Sequence, residues 1–419
     1  MNLPVTLSLA LASLWHRRGV LALVTLTLTL SVTLLLGVQY VRTEVRQAFS
    51  NTISGTDLIV GARSGQLNLL LYSVFHMGDA TNNIKWQSYQ SLRKDPRIEW
   101  TVPISLGDSY RGYRVVGTNE SYLDHFRYGD GHALSFTKGH WFADTFEVVL
   151  GADVARKLNH KVPEEIVLSH GTGRVSFMNH DAHPFRISGI LKATGTPVDQ
   201  AVYVSLEGLE AIHIGWESGV AIPGQTVSSE KARALELTPK SITAALVGIE
   251  RKVMTFQVQR QINQSDLEPL TAILPGVALN ELWRILGQFE RTLLGITGFV
   301  VVTSLIGLVA VLLALQAQRR QEINILRAVG ASPRLIGSLY VLECTLLALV
   351  SCLLALALGA LLITVLGPWL AENYGVVVRL RLLDSTEWLI LAAVPVAGLL
   401  VGFLPAWRAN RKLAQTSGF

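Results

Sequence analysis

Four apolar stretches constrain this chain more than any other feature of its sequence. Each is long enough to cross a bilayer, whose hydrocarbon core takes about 20 helical residues. They are Val20–Val41, Thr292–Gln318, Leu335–Leu370 and Trp388–Trp407. Glu343 is the only formally charged residue within them, and the mean hydropathy of the whole chain is +0.37. We therefore predict a membrane protein with four transmembrane helices.

The first stretch carries a pattern that a soluble protein would use differently. TLTLTLSVTL alternates with a period of two residues, which is typical of a strand. In lipid an isolated strand cannot satisfy its backbone, whereas a helix does so internally, and we therefore predict a helix. A cleavable signal peptide would have an apolar region of about 7–15 residues. This run is longer and continues into GVQYVRTEV, which favours a retained anchor.

The charges beside the spans predict their orientation. Three patches beside the spans, at 17–18, 319–334 and 408–412, contain nine basic residues and one acid, Glu322, although the net charge of the whole chain is only +5. The basic residues are Arg17, Arg18, Arg319, Arg320, Arg327, Arg334, Arg408, Arg411 and Lys412. The positive-inside rule makes these patches cytoplasmic, so both termini are expected inside and the segment 42–291 outside. The pI of 9.2 then reflects topology and anionic lipid, and no nucleic-acid partner is expected.

The segment 42–291 differs in character from the spans. Short alternating runs with turn signals, such as ISGTDLIVGARSG, RIEWTVPISLGDSYRGYRVVGTNES, HPFRISGILKATGTPVDQAVYVS, ESGVAIPGQTV and KSITAALVGIE, are mixed with helical patterns. The helical patterns are KWQSYQSLRKD and SLEGLEAIHIGWE. This mixture predicts a large α+β domain, of one or two lobes, inserted between the first and second spans. Both cysteines, Cys344 and Cys352, lie in the third span, so a packed core has to stabilise this domain.

Helical patterns also adjoin the first two spans on the outer side. VALNELWRILGQFERTLLG, from Val277, is expected to run unbroken into the second span, and VRTEVRQAFSNT to continue the first span outward. Two such helices would form a stalk that can transmit movement. Two ordinary juxtamembrane turns are the alternative.

The sequence QRRQEINILRAVGASPR between the second and third spans predicts a short amphipathic helix. Its apolar side carries Ile323, Leu326 and Gly330, and its polar part carries Arg319, Arg320, Glu322 and Arg327. Gly330 is the expected C-terminal breaker, and Ser332 is the expected N-cap of the next helix, whose first residue is Pro333. By itself such a helix could simply lie among anionic headgroups.

The wider sequence around this helix, RRQEINILRAVGASPRLIGSLYVLECTLLALV, resembles the signature of the FtsX/MacB/LolC-like permeases of type VII ABC transporters. LALASLWHRRGVLAL before the first span is similar to the N-terminal elbow of this family, and LPAWRANRK to its closing motif. GTDLIVGARSG resembles the segment that starts the periplasmic domain of the family. One span, a large outer domain and three further spans agree with its topology.

The resemblance implies a subunit of the bacterial inner membrane whose cytoplasmic helix docks on a separate ATPase. Its coupling residues would be Arg319, Arg320, Glu322, Ile323, Leu326, Arg327, Gly330 and Ser332. Family members pair with a second identical or related permease and work with two ATPase copies, which hold ATP and magnesium. A P-loop requires a Gly-Lys dipeptide, and the printed sequence contains none, so no cofactor is expected on this chain.

The segments are accordingly predicted as follows: 1–19 N-terminal elbow helix; 20–41 first transmembrane helix; 42–291 periplasmic α+β domain with helical stalk ends; 292–318 second transmembrane helix; 319–334 coupling helix; 335–370 third transmembrane helix; 371–387 short periplasmic loop; 388–407 fourth transmembrane helix; 408–419 cytoplasmic tail.

Three outputs are compatible with this family. They are efflux through a partner adaptor, removal of lipoproteins from the membrane, and activation of a periplasmic protein without transport. The large outer domain favours export or extraction of a substrate, with a periplasmic protein as partner or cargo. No H-E-x-x-H or G-x-S-x-G motif is present, and we therefore expect a non-catalytic subunit.

Two groups of ionisable residues have open roles. Glu343 lies about 12 Å beyond Leu335 along the third span, which favours a structural partnership with Arg327 or Arg334 over proton coupling. His160, His170, His180 and His183 are close in sequence, and imidazole binds zinc or copper. A solvated loop is the simpler interpretation of these histidines, and a metal-handling transport system is the alternative.

The predicted topology can be tested with reporter fusions. Alkaline phosphatase fused after Gln318 should be inactive because that position is expected in the cytoplasm, whereas a fusion after Gly65 should be active. An active enzyme at Gln318 would contradict the orientation of the coupling helix.

Overall fold

A computed structural model describes residues 18–50, 52–171, 183–214, 229–318, 328, 332–374 and 380–416. The chain divides into two compact units. The membrane unit comprises Met1–Glu44, Gly287–Ala371 and Val377–Phe419, and the inserted unit comprises Val45–Leu286 and Glu372–Val376.

Four long helices account for most of the described residues of the membrane unit. Three of them continue past the sequence bounds of that unit. The four helices are α1 (Arg18–Ser50), α9 (Pro275–Gln318), α10 (Pro333–Tyr374) and α11 (Ser385–Thr416). Each contains a segment long and apolar enough to cross a membrane, namely Arg18–Gln47, Pro275–Ala314, Leu335–Trp369 and Ser385–Phe403. The prediction of four transmembrane helices is confirmed.

Helix α1 shows how the alternating run near the N-terminus is accommodated. Its buried apolar residues are spaced by three and four positions, as on one face of an α-helix: Leu21, Val24, Leu28, Val32 and Leu36. These residues belong to one buried apolar cluster with side chains of the other three long helices, including Leu308, Leu347 and Leu391. Burial therefore follows the helical period and ignores the period of two in the sequence.

Helices α10 and α11 approach each other closely at two glycines. A Cβ atom on Gly398 would lie 2.9 Å from the Cβ of Ala348, and one on Gly402 would lie 3.0 Å from the Cα of Val341. The two glycines are four residues apart, as in the small-residue motif that lets helix backbones approach in membranes. The contact between α10 and α11 therefore depends on the absence of side chains at both positions.

Among the described residues, the strands and short helices lie in the inserted unit. Its strands are β1 (Leu58–Ala62), β2 (Ile84–Lys85), β3 (Ile98–Tyr110), β4 (Tyr113–Thr118), β5 (Arg127–Tyr128), β6 (His132–Ala133), β7 (Phe136–Gly139), β8 (Glu147–Leu150), β9 (Glu165–Ile166), β10 (Ser169–His170), β11 (Phe185–Leu191), β12 (Ala201–Ser205), β13 (Ser241–Ile242), β14 (Ala244–Ile249) and β15 (Leu270–Ile273). Its helices are α2 (Gln66–Val74), α3 (Trp86–Arg93), α4 (Ser121–His125), α5 (Ala152–Leu158), α6 (Leu206–Ile212), α7 (Ser229–Arg233) and α8 (Thr255–Asn263).

Eleven strands form one mixed sheet, in the order β15-β1-β14-β3-β4-β12-β8-β11-β7, with β10 paired to β3 and β9 to β11. The long strand β3 joins its two halves. Residues 98–104 of β3 pair with β14, and residues 105–110 pair with β4, both antiparallel. The two lobes considered from the sequence are thus two halves of one continuous sheet.

Both faces of this sheet are covered by apolar side chains. One face contributes Ile59, Val102, Val116, Val149 and Tyr203 to a single cluster that extends through both halves. The opposite face is divided between two clusters, one around β1 and β14 and one around β8, β11 and β12. Central strands such as β14 are therefore buried along their whole length.

Most of the strands and helices expected from the sequence are present. The run LIVGA forms β1, IEWTVPISLGDSYRGYRVVGT forms the β3–β4 hairpin, and FRISGIL and AVYVS form β11 and β12. The helical patterns form α3 and α6. The predicted strand ESGVAIPGQTV lies outside the described residues.

Gly139, at the end of β7, offers a test of this packing. Its φ of +75° favours glycine, and an added Cβ would overlap the backbone carbonyl oxygen of Ser188 on β11. Gly139→Ala should therefore lower the free energy of unfolding by about 1–3 kcal/mol. Gly65→Ala is the matched control, because no atom lies within 4 Å of the position that an added Cβ would take and its φ is −66°. Thermal unfolding of the purified full chain measures both, and equal midpoints would contradict the packing argument.

Candidate functional site

Of the eight predicted coupling residues, Ser332 lies in the described part of the chain. Its Oγ accepts a hydrogen bond from the backbone N–H of Leu335 at 3.3 Å, and α10 begins at the next residue, Pro333. This is the N-cap geometry expected from the sequence. Arg319, Arg320, Glu322, Ile323, Leu326, Arg327 and Gly330 lie outside the described residues, so their docking role stays a prediction.

Glu343 lies on α10 and is buried, with 1% of its surface exposed. The side chains of Arg327 and Arg334, its two predicted partners, are not among those that the structure describes. The predicted ion pair therefore stays a prediction.

The membrane unit also contains a cluster of polar side chains that the sequence analysis did not predict. We call Tyr40, Glu44, Arg381 and Glu387 the Arg381 cluster. The guanidinium of Arg381 donates to Glu44 Oε1 at 2.8 Å and to Glu387 at 2.8 and 3.1 Å. It also lies 4.6 Å from the centre of the Tyr40 ring, within cation–π range. One arginine thus links the C-terminal part of α1 to the start of α11.

Glu387 also stabilises the N-terminus of α11. Its Oε2 accepts the backbone N–H of Asp384 at 2.8 Å, and α11 begins at Ser385. A residue three positions into a helix that bonds back to the N-cap is half of a capping box. The sequence DSTE, immediately before Trp388, contains this capping pattern. The fourth transmembrane helix predicted from the sequence began at Trp388 and therefore did not include it.

Polar contacts also join α1 to α9 within the membrane unit. Arg42 Nε donates to Glu290 Oε2 at 2.7 Å, and the hydroxyls of Ser31 and Ser304 lie 2.7 Å apart. Helix α1 is thus tied by hydrogen bonds to α9 and, through Arg381, to the segment that leads into α11.

In the inserted unit, His160 takes part in a hydrogen-bonded group of its own. Its Nε2 lies 2.9 Å from the hydroxyl of Tyr110, and its Nδ1 lies 2.7 Å from Glu164 Oε2. Burial raises the pKa of Tyr110. The hydrogen bond from His160 is the main cause that lowers the pKa of Glu164. Both ring nitrogens of His160 are engaged by these neighbours.

His183 is buried and lies apart from the other described histidines of the predicted set. Its ring stacks on Phe146 with centroids 5.3 Å apart, and its Nδ1 is 3.1 Å from Ser229 Oγ. Burial lowers its pKa, which favours the neutral ring. His180 lies outside the described residues. The four histidines proposed from the sequence therefore do not form one group among the residues described.

His170 instead belongs to a group whose other members the sequence did not indicate, Asp108 and His213. The His170 Nδ1 is 3.2 Å from Asp108 Oδ1 and 3.3 Å from His213 Nε2, which in turn is 3.5 Å from Asp108 Oδ2. Asp108 is fully buried. The pKa of His213 is raised: burial lowers it, but the hydrogen bond and charge of Asp108 outweigh that effect. We call these three residues the Asp108 site.

Two family models match the chain. The MacB-like periplasmic core domain matches residues 21–263, and the FtsX-like permease C-terminal domain matches residues 294–414. Among curated proteins, an uncharacterized ABC transporter permease protein of Mycobacterium tuberculosis (strain ATCC 25618 / H37Rv) is 30% identical over 119 residues. That match covers 28% of this chain and 14% of the length of the relative.

Two solved structures match part of this chain at low similarity. The periplasmic region of MacB from Actinobacillus actinomycetemcomitans is 12% identical, with a TM-score of 0.34 over 55% of this chain and 94% of that structure. The extracellular domain of the noncanonic ABC-type transporter YknZ from Gram-positive bacteria is 13% identical, with a TM-score of 0.31 over 52% and 99%.

Family membership rests on the two sequence models. The periplasmic core model matches more than half of the chain, and the permease model follows it in the order that four spans with an insertion after the first require. The chain belongs to the FtsX/MacB-like permease family of ABC transporters.

Proposed function

We propose that this chain is the permease subunit of an inner-membrane ABC transporter that passes the work of a separate ATPase to its inserted domain. Movement of that domain on the periplasmic side would export or extract a substrate of efflux or lipoprotein type. The observation that carries the proposal is the presence of both family models in one chain, one over residues 21–263 and one over residues 294–414.

The described helices supply a route for such movement. Helix α9 is continuous over 44 residues, from Pro275 to Gln318, so at a rise of 1.5 Å per residue it is about 66 Å long. It ends directly before the predicted coupling segment 319–334, and α10 begins at Pro333, near the end of that segment. A push on residues 319–334 would therefore act on the ends of two long helices at once.

The Arg381 cluster and the Arg42–Glu290 ion pair would distribute this movement within the membrane unit. Each joins α1 to another part of that unit through charged hydrogen bonds between partly or fully buried side chains. Such bonds are shorter and stronger than neutral ones, and they resist separation of the helices that they join. We infer that α1, α9 and α11 move together when the ATPase acts.

The partners follow from the same proposal. Two copies of an ATPase subunit would bind the cytoplasmic side, with ATP and magnesium held by the ATPase. A second permease, identical or related, would complete the membrane part, surrounded by lipid. A periplasmic protein would act as partner or substrate, and this chain would itself be non-catalytic.

The coupling helix can be tested by charge reversal. Arg320→Glu combined with Arg327→Glu should lower permease-stimulated ATP hydrolysis by at least about tenfold, because each reversal replaces an attraction to the ATPase by a repulsion. The measurement is the ATPase rate of the complex of this chain with its co-purifying ATPase, reconstituted in lipid.

Arg411→Glu is the matched control for this experiment, because it reverses a charge in the predicted cytoplasmic tail outside the coupling helix. It should leave the stimulated rate within about twofold of the wild type. Membrane insertion of every variant is checked by fractionation. An unchanged rate in the double variant would rule out residues 319–334 as the docking element.

Arg381→Ala tests the Arg381 cluster. It would leave Glu44 and Glu387 facing each other without their shared cation, with Glu387 only 1% exposed, and should lower the free energy of unfolding by about 3 kcal/mol. Arg284→Ala removes an exposed ion pair with Glu281, at 3.7 Å, and should have little effect. Thermal unfolding of the full chain in detergent measures both. Similar midpoints for the two variants would show that the cluster does not stabilise the helices.

A further inference from the structure

The Asp108 site assembles three side chains from different elements of the inserted unit. Asp108 lies on β3, His170 lies on β10, and His213 directly follows α6. In the β-ladder His170 is paired with Asp108, so the two residues lie side by side across adjacent strands. The C-terminal end of α6 brings the third side chain to the same place.

Asp108 is positioned by an irregularity in β3. Between the pairs Leu106–Val116 and Ser109–Arg114, strand β3 has one more residue than β4. Such a β-bulge turns the side chain of the extra residue away from its regular direction and is frequent beside functional sites. The bulge allows a carboxylate on a buried strand to face two imidazole rings.

The hydrogen bond from His213 to a backbone carbonyl determines which of its ring nitrogens carries the proton and which presents a lone pair to the carboxylate of Asp108. Its Nδ1 lies 2.7 Å from the carbonyl oxygen of Leu209, which can only accept, so Nδ1 carries the proton. In the neutral ring Nε2 then presents a lone pair towards Asp108. A lone pair facing a carboxylate needs a cation between them, and either a proton on Nε2 or a metal ion provides it. A backbone carbonyl that orients the ring in this way is the usual companion of a metal-binding histidine.

The distances between the nitrogen and oxygen atoms of the Asp108 site are similar to those between the ligand atoms of a zinc ion. His170 Nδ1 lies 3.2 Å from Asp108 Oδ1 and 3.3 Å from His213 Nε2, and His213 Nε2 lies 3.5 Å from Asp108 Oδ2, the other oxygen of the same carboxylate. In tetrahedral zinc coordination, metal–ligand distances of 2.0–2.1 Å place neighbouring donor atoms about 3.3–3.4 Å apart. Each histidine nitrogen thus lies close to that spacing from an oxygen of Asp108, and one ligand atom from each of the three residues lies within 4.8 Å of the others.

We propose that Asp108, His170 and His213 bind a zinc ion. Two imidazoles and one carboxylate are a ligand set that zinc accepts, and magnesium, which prefers six oxygen ligands, does not. The histidine side chains are 36% and 31% exposed, so an ion reaches the site from solvent, and a water or an exchangeable ligand completes the tetrahedron. The site is assigned from geometry alone and does not depend on the proposed transport function.

Metal binding is measured on the full chain in detergent, purified without a polyhistidine tag and without the ATPase. After removal of metal by a chelator, titration calorimetry with Zn²⁺ should give one saturable site per chain, and Mg²⁺ should give none. Cobalt should give the intense d–d absorption of a tetrahedral site, and Zn²⁺ should abolish that absorption by displacing it. This spectrum requires no variant, so it tests the proposal even if a substitution prevents folding.

Asp108→Asn, His170→Ala and His213→Ala should each weaken zinc binding by at least about tenfold, since even residues that only orient a metal ligand contribute that much. His132→Ala is the matched control, because His132 is an exposed histidine of the same unit on β6 and should not change binding. Absence of saturable zinc binding by the wild type, or equal affinities of Asp108→Asn and the control, would overturn the proposal and leave His213 with a proton in that position. Loss of zinc binding would not affect stimulated ATP hydrolysis, which is measured separately with the coupling variants.

Discussion

In the hydrocarbon of a membrane, every backbone N–H and C=O group has to be paired within the protein, and this constraint determines the form of the membrane unit. It makes helices of sequences that would form strands in water, as in the run Thr25–Leu34 of α1. Since lipid is as apolar as the side chains, close packing and polar contacts must then hold the helices together. Gly398 and Gly402 supply the close packing, and the Arg381 cluster supplies the polar contacts.

The inserted unit is stabilised in a different way, because water surrounds it and a sheet with buried faces can provide its stability. Strand β3 is central to that stability. It is long enough to pair with β14 through its first half and with β4 through its second, so the two halves form one sheet. One face of this sheet carries a single apolar cluster, and the other face carries two. The bulge that interrupts the pairing of β3 with β4 contains Asp108, which is paired with His170 of β10 on the other side of β3. Fold and candidate metal site therefore depend on the same strand.

Each unit contains a cluster in which a buried ionisable side chain is contacted by other ionisable side chains. Arg381 lies between Glu44 and Glu387, and Asp108 lies beside two histidines. Isolated charges in such surroundings would be costly, whereas paired charges hold helices or strands in a defined relation. The proposed transmission of movement and the proposed zinc site both use this property. In the first case the charges join helices, and in the second they converge on a cation.

The sequence alone determined the four spans, the insertion after the first, most strands and helices, and the cap at Ser332, because each depends on hydropathy, periodicity or local capping that neighbouring residues encode. The family resemblance was likewise carried by contiguous motifs. Only the tertiary structure decided that Arg381 contacts Glu44, that Gly398 faces Ala348, and that His170 has Asp108 and His213 beside it in place of His160 and His183. These contacts join residues far apart in the chain, and strand register and helix packing, which no local pattern specifies, bring them together.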